Sequence, residues 1–287
     1  MRHSTWLRLE ASPFWYGVYR NYRRLPDGVR GPIRLLFAPQ WHLAAALVRA
    51  ASRRRIVAGP FQGMRMELSG LSSRHLLCYL LGSAEIELRD VIGRIVDRGY
   101  RTILNIGAAD GYYAVGLAAR SPGSHVEAFE ALPAFHPIVE RSAQANGVEG
   151  RVALRGACDA KALRHHLQMA ASPSLVLMDI EGGEVELLDP GTVPQLRDVD
   201  ILVETHDAFV PHVTETLIDR FQATHHIERH TARPRLLGDF PVDFLPTFKQ
   251  WFPRLAVELM DERRTGLQQW LFLTAKCSDA KPRDPQH

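Results

Sequence analysis

The sequence holds only three cysteines, Cys78, Cys158 and Cys277, and no two of them form a CxxC spacing. An odd number spread this widely argues against a disulfide framework and a cysteine-rich zinc site, and points to a reducing compartment. Long apolar runs are missing too. The best, Leu43 to Val48, is far too short to span a bilayer, and no apolar stretch follows the first arginine in the manner of a secretory leader. The expected location is therefore cytoplasmic. There is no GxGxxG fingerprint, no P-loop Lys-Ser/Thr pair, no internal repeat and no low-complexity tract. What remains is 287 residues, 46% hydrophobic and 23% charged, enough for one substantial α/β core with an appendage.

Net charge is small, at +3, but unevenly spread. Residues 1 to 60 carry eleven arginines against Glu10 and Asp27, a local +9 that leaves −6 for the rest. The same segment holds Trp6, Phe14, Trp15, Tyr16, Tyr19, Tyr22 and Trp41. Such interleaving suits an anionic partner, whether nucleic acid, membrane surface or phosphorylated substrate. It equally suits an appendage whose aromatics pack on a core while its arginines stay solvated.

Along the chain, Trp41 to Arg55 has helical spacing closed by three arginines, and "IVAGPFQGMRMEL" reads as a short hairpin. A helical pattern from Ser73 to Arg98 breaks near Gly82. Strands are then expected at Thr102 to Ile106, "HVEAFE", "RVALRG", "SLVLMD", "DILVE" and "QQWLFLTAK", with helices over 114–120, 134–145, 161–169 and 211–221. Short apolar strands alternating with helices indicate a parallel sheet covered on both faces. Arg233 to Pro253, rich in proline and aromatics, reads as a lid. Ile227 suggests a strand through "HHIERH" rather than a zinc site, and Arg263, Arg264, His165 and His166 read as surface residues.

One stretch asks for a ligand. In "NIGAADGYY", Gly107 and Gly111 flank the turn between a strand and a helix, where a ligand can approach the main chain without Cβ atoms in the way. Asp110 argues against a phosphate there. Glu130 ends the next strand, where a carboxylate can accept both hydroxyls of a ribose. A ligand with a nucleoside end and a cationic centre fits both features, and S-adenosylmethionine is that ligand.

The stretches "ILNIGAADGYYAVGLA", "VEAFEALP", "NGVEGRVALRGAC", "LVLMDIEGGEVELLDP" and "ILVETHD", in that order, resemble the FkbM-type methyltransferases of the class I S-adenosylmethionine-dependent superfamily. The resemblance covers roughly Leu80 to Asp207. It implies a Rossmann-like α/β domain with a mostly parallel seven-stranded sheet, helices on both faces and an antiparallel last strand, placed here over 71–287; the charge and periodicity above set off residues 1–70 as a basic helical and hairpin extension. By motif position it implies that Asn105, Gly107, Ala108 and Gly111 line the cofactor, that Glu130 holds the ribose, and that Cys158 and Asp159 lie near the adenine. Many relatives carry an acid where this chain has Asn105.

Methyl transfer from a sulfonium is an in-line displacement, and an alcohol acceptor must also lose a proton. Asp179 ends "LVLMD", while Glu204, His206 and Asp207 end "ILVETHD". Glu204 and His206 lie two apart in a strand and so share a face. His206 is the expected base, with Asp179 and Glu204 orienting it or the acceptor. The same oxygen-rich group also suits a hard divalent ion such as Mg²⁺. Glu181 and Glu184 read as stabilising the start of the next helix, with Gly182 and Gly183 as turn residues. The expected activity is O-methylation of a small molecule or sugar. Two other readings stay open: an inactive methyltransferase-fold binding protein, and an RNA methyltransferase whose arginines contact phosphates.

Overall fold

The computed structural model of the chain describes residues 39–67, 73–262 and 268–276. The basic and aromatic segment up to residue 38, Arg263, Arg264 and Cys277 lie outside the described residues. The chain divides into two compact units, Met1–Val48 and Arg49–His287. Residues 49–67, which the sequence assigns to the extension, fall in the second unit, where Ile56, Phe61, Met64 and Met66 join its core.

Helix α1 spans Pro39–Ser52 and α2 spans Ser73–Leu81. Between them the expected hairpin is a single antiparallel bridge, Arg55 to Arg65, supported by Ile56 N–H donating to the Met64 carbonyl at 2.9 Å. The break at Gly82 is real: a short 3₁₀ turn follows before α3, Arg89–Arg98. Asp90 in the first turn of α3 and Arg98 in its last complement the helix dipole.

From there strands and helices alternate as the sequence pattern requires: β1 Thr102–Ile106, α4 Tyr112–Arg120, β2 His125–Phe129, α5 His136–Ala145, β3 Val152–Arg155 and α6 Ala160–Met169. Next come β4 Ser174–Met178, the one-turn α7 Glu184–Leu187, β5 Asp200–Thr205, α8 Val213–Phe221 and β6 His225–Thr231, the strand through "HHIERH". Helices α9, Pro246–Trp251, and α10, Pro253–Met260, precede β7, Gln269–Ala275. The sheet order is β3-β2-β1-β4-β5-β7-β6. Strand β7 runs antiparallel to both β5 and β6, and the pairings among β1 to β5 are parallel. This is a Rossmann-like α/β arrangement, a mostly parallel seven-stranded sheet with an antiparallel last strand in chain order.

The central strands β1, β4 and β5 are buried along their whole length, so they read as apolar runs rather than alternations. Period-two alternation still sorts their side chains. Ile103, Leu175, Leu177 and Leu202 face one core with Ala114 and Leu117, while Leu104, Val176, Met178, Ile201 and Val203 face the other with Leu163, Leu217 and Phe221.

Arg233 to Pro253 is tied down rather than a loose lid. Arg233 pairs with Asp239 at 2.8 Å, and the buried Arg235 bridges Glu87 at 3.2 Å and Glu262 at 2.6 Å. Phe240 is fully buried. No helix among the described residues is long and apolar enough to cross a membrane.

One residue sets how closely β1 and β4 meet at their ends. Gly107 has φ 82°, and a Cβ on it would lie 1.8 Å from the Asp179 carbonyl oxygen. No rotamer relieves a clash with backbone, so Gly107→Ala is expected to lower unfolding free energy by about 3 kcal/mol or more. Gly93, inside α3 with open space around it, is the control: Gly93→Ala is expected to stabilise by about 0.5–1 kcal/mol. Urea unfolding of both variants checks the pair, and equal effects of the two would contradict this account of the β1–β4 contact.

Candidate active site

Because β1, β2, β4 and β5 are parallel, their carboxyl ends lie along one edge of the sheet. The order reverses between β1 and β4, which opens a crevice at that edge. The turn after β1 fills one side of it. Gly107 and Ala108 donate to the Phe129 carbonyl, both at 2.9 Å, and Gly111, with φ 84°, begins α4.

Ala109 takes a left-handed conformation, φ 45°, which is costly for a residue with a Cβ. Its N–H donates to Glu130 Oε2 at 2.8 Å, and Leu132 N–H donates to Glu130 Oε1 at 2.7 Å. Glu130 therefore shapes the turn it faces. Each of its oxygens still has one lone-pair site, enough for two hydroxyls. Burial pushes the Asp110 carboxyl up to about 6, although Tyr112 N–H donates to it.

Asn105 is the clearest sign of an absent polar partner. It is 1% exposed, two residues before the turn, and neither its Oδ1 nor its Nδ2 has a hydrogen-bond partner. A buried unsatisfied amide costs roughly 1–3 kcal/mol. The polar amino acid end of a bound cofactor would satisfy it, so the residues present fit that group. The two positions expected near an adenine have local duties. Asp159 Oδ1 caps α6 by accepting from Ala162 N–H at 2.7 Å, and the half-buried Cys158 packs on the second core, with its thiol pushed up to about 12 by burial.

Across the crevice, Asp179, Glu204 and His206 come together, as their places at the ends of β4 and β5 require. His206 Nε2 lies 3.5 Å from Asp179 Oδ1 and 3.9 Å from Glu204 Oε2. Asp207 does not join them: its carboxylate holds Thr214 of α8, whose N–H donates at 3.2 Å.

A fourth residue completes the cluster, and it does begin a helix, α7, as the sequence pattern expects. Glu184, read as a helix-start acid, is fully buried, and its Oε1 sits 2.6 Å from His206 Nδ1 while also accepting from Gly182 N–H at 3.0 Å. A turn with Glu181 at φ 55° and Gly182 at φ 125° folds the chain back so that Glu184 reaches His206 after β5, a path that no local sequence pattern announces.

These contacts fix the charges. Burial favours neutral imidazole at His206, but the Glu184 bond and the charges of Asp179, Glu184 and Glu181 outweigh it and raise His206 above its ordinary 6.5. Burial likewise raises Glu184, yet the His206 bond and the backbone N–H donors prevail and hold it below its ordinary 4.5. An ionised carboxylate only accepts, so the proton on the shared bond stays on Nδ1. Nε2, facing Asp179 and Glu204, is the nitrogen left to exchange a proton.

No family model matches the chain, and no curated protein does. Among solved structures it is similar to an O-methyltransferase from Bacillus cereus in complex with SAH, at 15% identity and TM-score 0.42, covering 81% of this chain and 89% of that one. It is also similar to a precorrin-6y C5,15-methyltransferase from Geobacter metallireducens, at 11% identity and TM-score 0.42, covering 65% and 87%.

The Glu184–His206 pair makes stability depend on pH in a defined window. The raised histidine contributes fully below about 6.5 and loses its contribution as pH rises through its folded value. The depressed glutamate contributes above about 4.5 and loses its contribution as pH falls through its own. Glu184→Gln is therefore expected to cost most, about 1–3 kcal/mol, between roughly pH 4.5 and 6.5, and less at pH 9. Denaturant unfolding of both proteins across pH checks this; a pH-independent difference would remove the pairing.

Proposed function

We propose that the chain is an S-adenosylmethionine-dependent methyltransferase acting on a hydroxyl of a small molecule or glycan. The observation that carries this reading is positional. A histidine with one nitrogen committed to a buried carboxylate and the other facing Asp179 and Glu204 lies on the same sheet edge as the Gly107–Gly111 turn, Glu130 and the unsatisfied Asn105. The fold and the family resemblance point the same way.

The cofactor supplies an activated methyl on a sulfonium. Glu130 would accept from its ribose, and Asn105 would meet its amino acid end. His206 Nε2 takes the acceptor's proton as the oxygen attacks, which is worth typically 10²- to 10⁴-fold. Glu184 holds the ring in the competent tautomer, and Asp179 stabilises the imidazolium that forms.

A second reading is favoured by one observation: ligand atoms of Asp179, Glu204 and His206 all lie within 4.8 Å of one another. A divalent cation such as Mg²⁺ held there would bind and acidify the acceptor hydroxyl, with Glu184 supporting the histidine from behind. Retention of activity in EDTA favours the base; loss restored by the ion favours the metal.

The test joins calorimetry to turnover. S-adenosylmethionine and its demethylated product are expected to bind in the micromolar range, and Glu130→Ala to weaken binding by about 1–3 kcal/mol. His206→Ala is expected to keep cofactor affinity and lose about 10²- to 10⁴-fold in kcat. In the wild type kcat should rise with pH through a value above 6.5, because His206 must shed a more tightly held proton. Absence of cofactor binding would overturn the reading, and full turnover by His206→Ala at saturating acceptor would remove the base.

A further inference from the structure

Exposed apolar side chains gather on the crevice edge of the sheet. Nine large ones of the second unit stand in solvent among the described residues, and eight of them follow the carboxyl end of β2, β5 or β6. Strand β6 points the same way as β5, because both run antiparallel to β7, and Thr205, Gln269 and Thr231 share one register. The connection from β6 to β7 therefore leaves the sheet and returns to it at the edge where β1, β4 and β5 end. The one exception, Met169, closes α6 and leads into the start of β4, at the opposite edge. Two of the exposed rings are mounted firmly. Trp251 is 72% exposed and Phe252 is 52% exposed, at the corner between α9 and α10. Phe252 N–H donates to the Phe248 carbonyl at 2.8 Å, and the Phe248 ring lies 5.7 Å from Phe252 and 6.2 Å from the fully buried Phe240. Lys249 Nζ donates to the Phe240 carbonyl at 3.0 Å, and Arg254 is exposed in the first turn of α10.

We propose that this edge docks on an anionic lipid surface, with Trp251 and Phe252 entering the headgroup layer and the crevice turned toward the bilayer. The docking goes beyond the methyltransferase reading and stands without it. Three observations select a membrane. The first is composition: Trp and Phe rings beside Lys249 and Arg254 are the side chains that settle where hydrocarbon meets headgroups, the rings inside and the cations among the phosphates. The second is outline. The apolar tips stand on three separate connections along one edge, and a headgroup layer moulds to such an outline, whereas a protein partner needs a continuous fitted face with its anchors seated in pockets. The third is charge, which also selects the lipid. The first 38 residues hold seven arginines against Glu10 and Asp27, with Trp6, Trp15 and Tyr19 among them, and cations of that kind are drawn to anionic headgroups. The crevice itself is acidic, so the attraction belongs to those arginines and the contact to the rings. Apolar insertion and a basic segment are the two signals that together give stable attachment, where either alone is marginal.

The experiment is sedimentation of the full chain with vesicles of phosphatidylcholine alone, or of phosphatidylcholine mixed equally with phosphatidylglycerol. The expected result is binding to the mixed vesicles about tenfold tighter or more than to phosphatidylcholine, weakening as salt rises from about 0.1 to 0.5 M. Trp251→Ser combined with Phe252→Ser should weaken binding about tenfold or more, because two large rings lose their burial. Val242→Ser, also exposed on the β6–β7 connection, should weaken it by less, and Met169→Ser should leave it unchanged. All four side chains are exposed, so every variant should keep the wild-type unfolding midpoint. Absence of vesicle binding, or an equal loss in Met169→Ser and in the Trp251 and Phe252 variant, overturns the inference. So does a dimer in light scattering that the Trp251 and Phe252 variant turns into a monomer, which would put a second copy on the edge. Steeply salt-dependent binding of single-stranded RNA without vesicle binding overturns it too, by giving the arginines a different phosphate. Each of these outcomes leaves the methyltransferase reading standing, and failure to bind S-adenosylmethionine would overturn that reading while leaving the lipid surface in place.

Discussion

A buried carboxylate is costly unless donors meet it, and Glu184 is fully buried. Two donors, His206 Nδ1–H and the Gly182 N–H, meet its Oε1 and offset part of that cost, while Oε2 is buried without a partner. Because the carboxylate can only accept, the imidazole tautomer is set. Because Nδ1 is committed, Nε2 is the working nitrogen. The Glu181–Gly182 turn must adopt left-handed and glycine-only geometry to bring Glu184 round, so its strain is the local cost of building the pair.

The crevice gains its precision from the backbone. β1 and β4 end so close together that Gly107 cannot carry a Cβ, and Asp179 N–H donates to the Ile106 carbonyl at 2.9 Å. That contact ties the Gly107–Gly111 turn to the strand end that carries Asp179. Glu130, just after β2, then holds the turn through the Ala109 N–H and its own loop through the Leu132 N–H. A methyl donor and an acceptor must align in one line at van der Waals distance, and groups mounted on adjacent, fully buried strands hold such alignment better than groups on loops.

Much of this was legible in the sequence. The apolar runs of β1, β4 and β5 announced buried parallel strands, and the glycine turn with a downstream acid announced the crevice. Asp179, Glu204 and His206 could be placed together because each ends a strand on the same edge. Glu184 could not, because its partner lies 22 residues away across a turn whose path only the folded backbone reveals. Gly107 was read as making room for a ligand; the folded chain adds a tighter reason, the carbonyl of Asp179. Arg233 to Pro253 looked like a lid because it lacks periodicity, yet buried salt bridges and Phe240 anchor it, and such pairings across distant segments leave no local pattern.

The central claim is that Glu184 commits His206 to one tautomer and a raised pKa, and ¹⁵N-resolved NMR titration of the His206 imidazole tests it most directly. The account predicts that the neutral ring carries its proton on Nδ1 and titrates above 6.5, with Glu184→Gln moving the midpoint down. A ring protonated on Nε2 when neutral, or a midpoint at or below 6.5 that Glu184→Gln leaves in place, would contradict it.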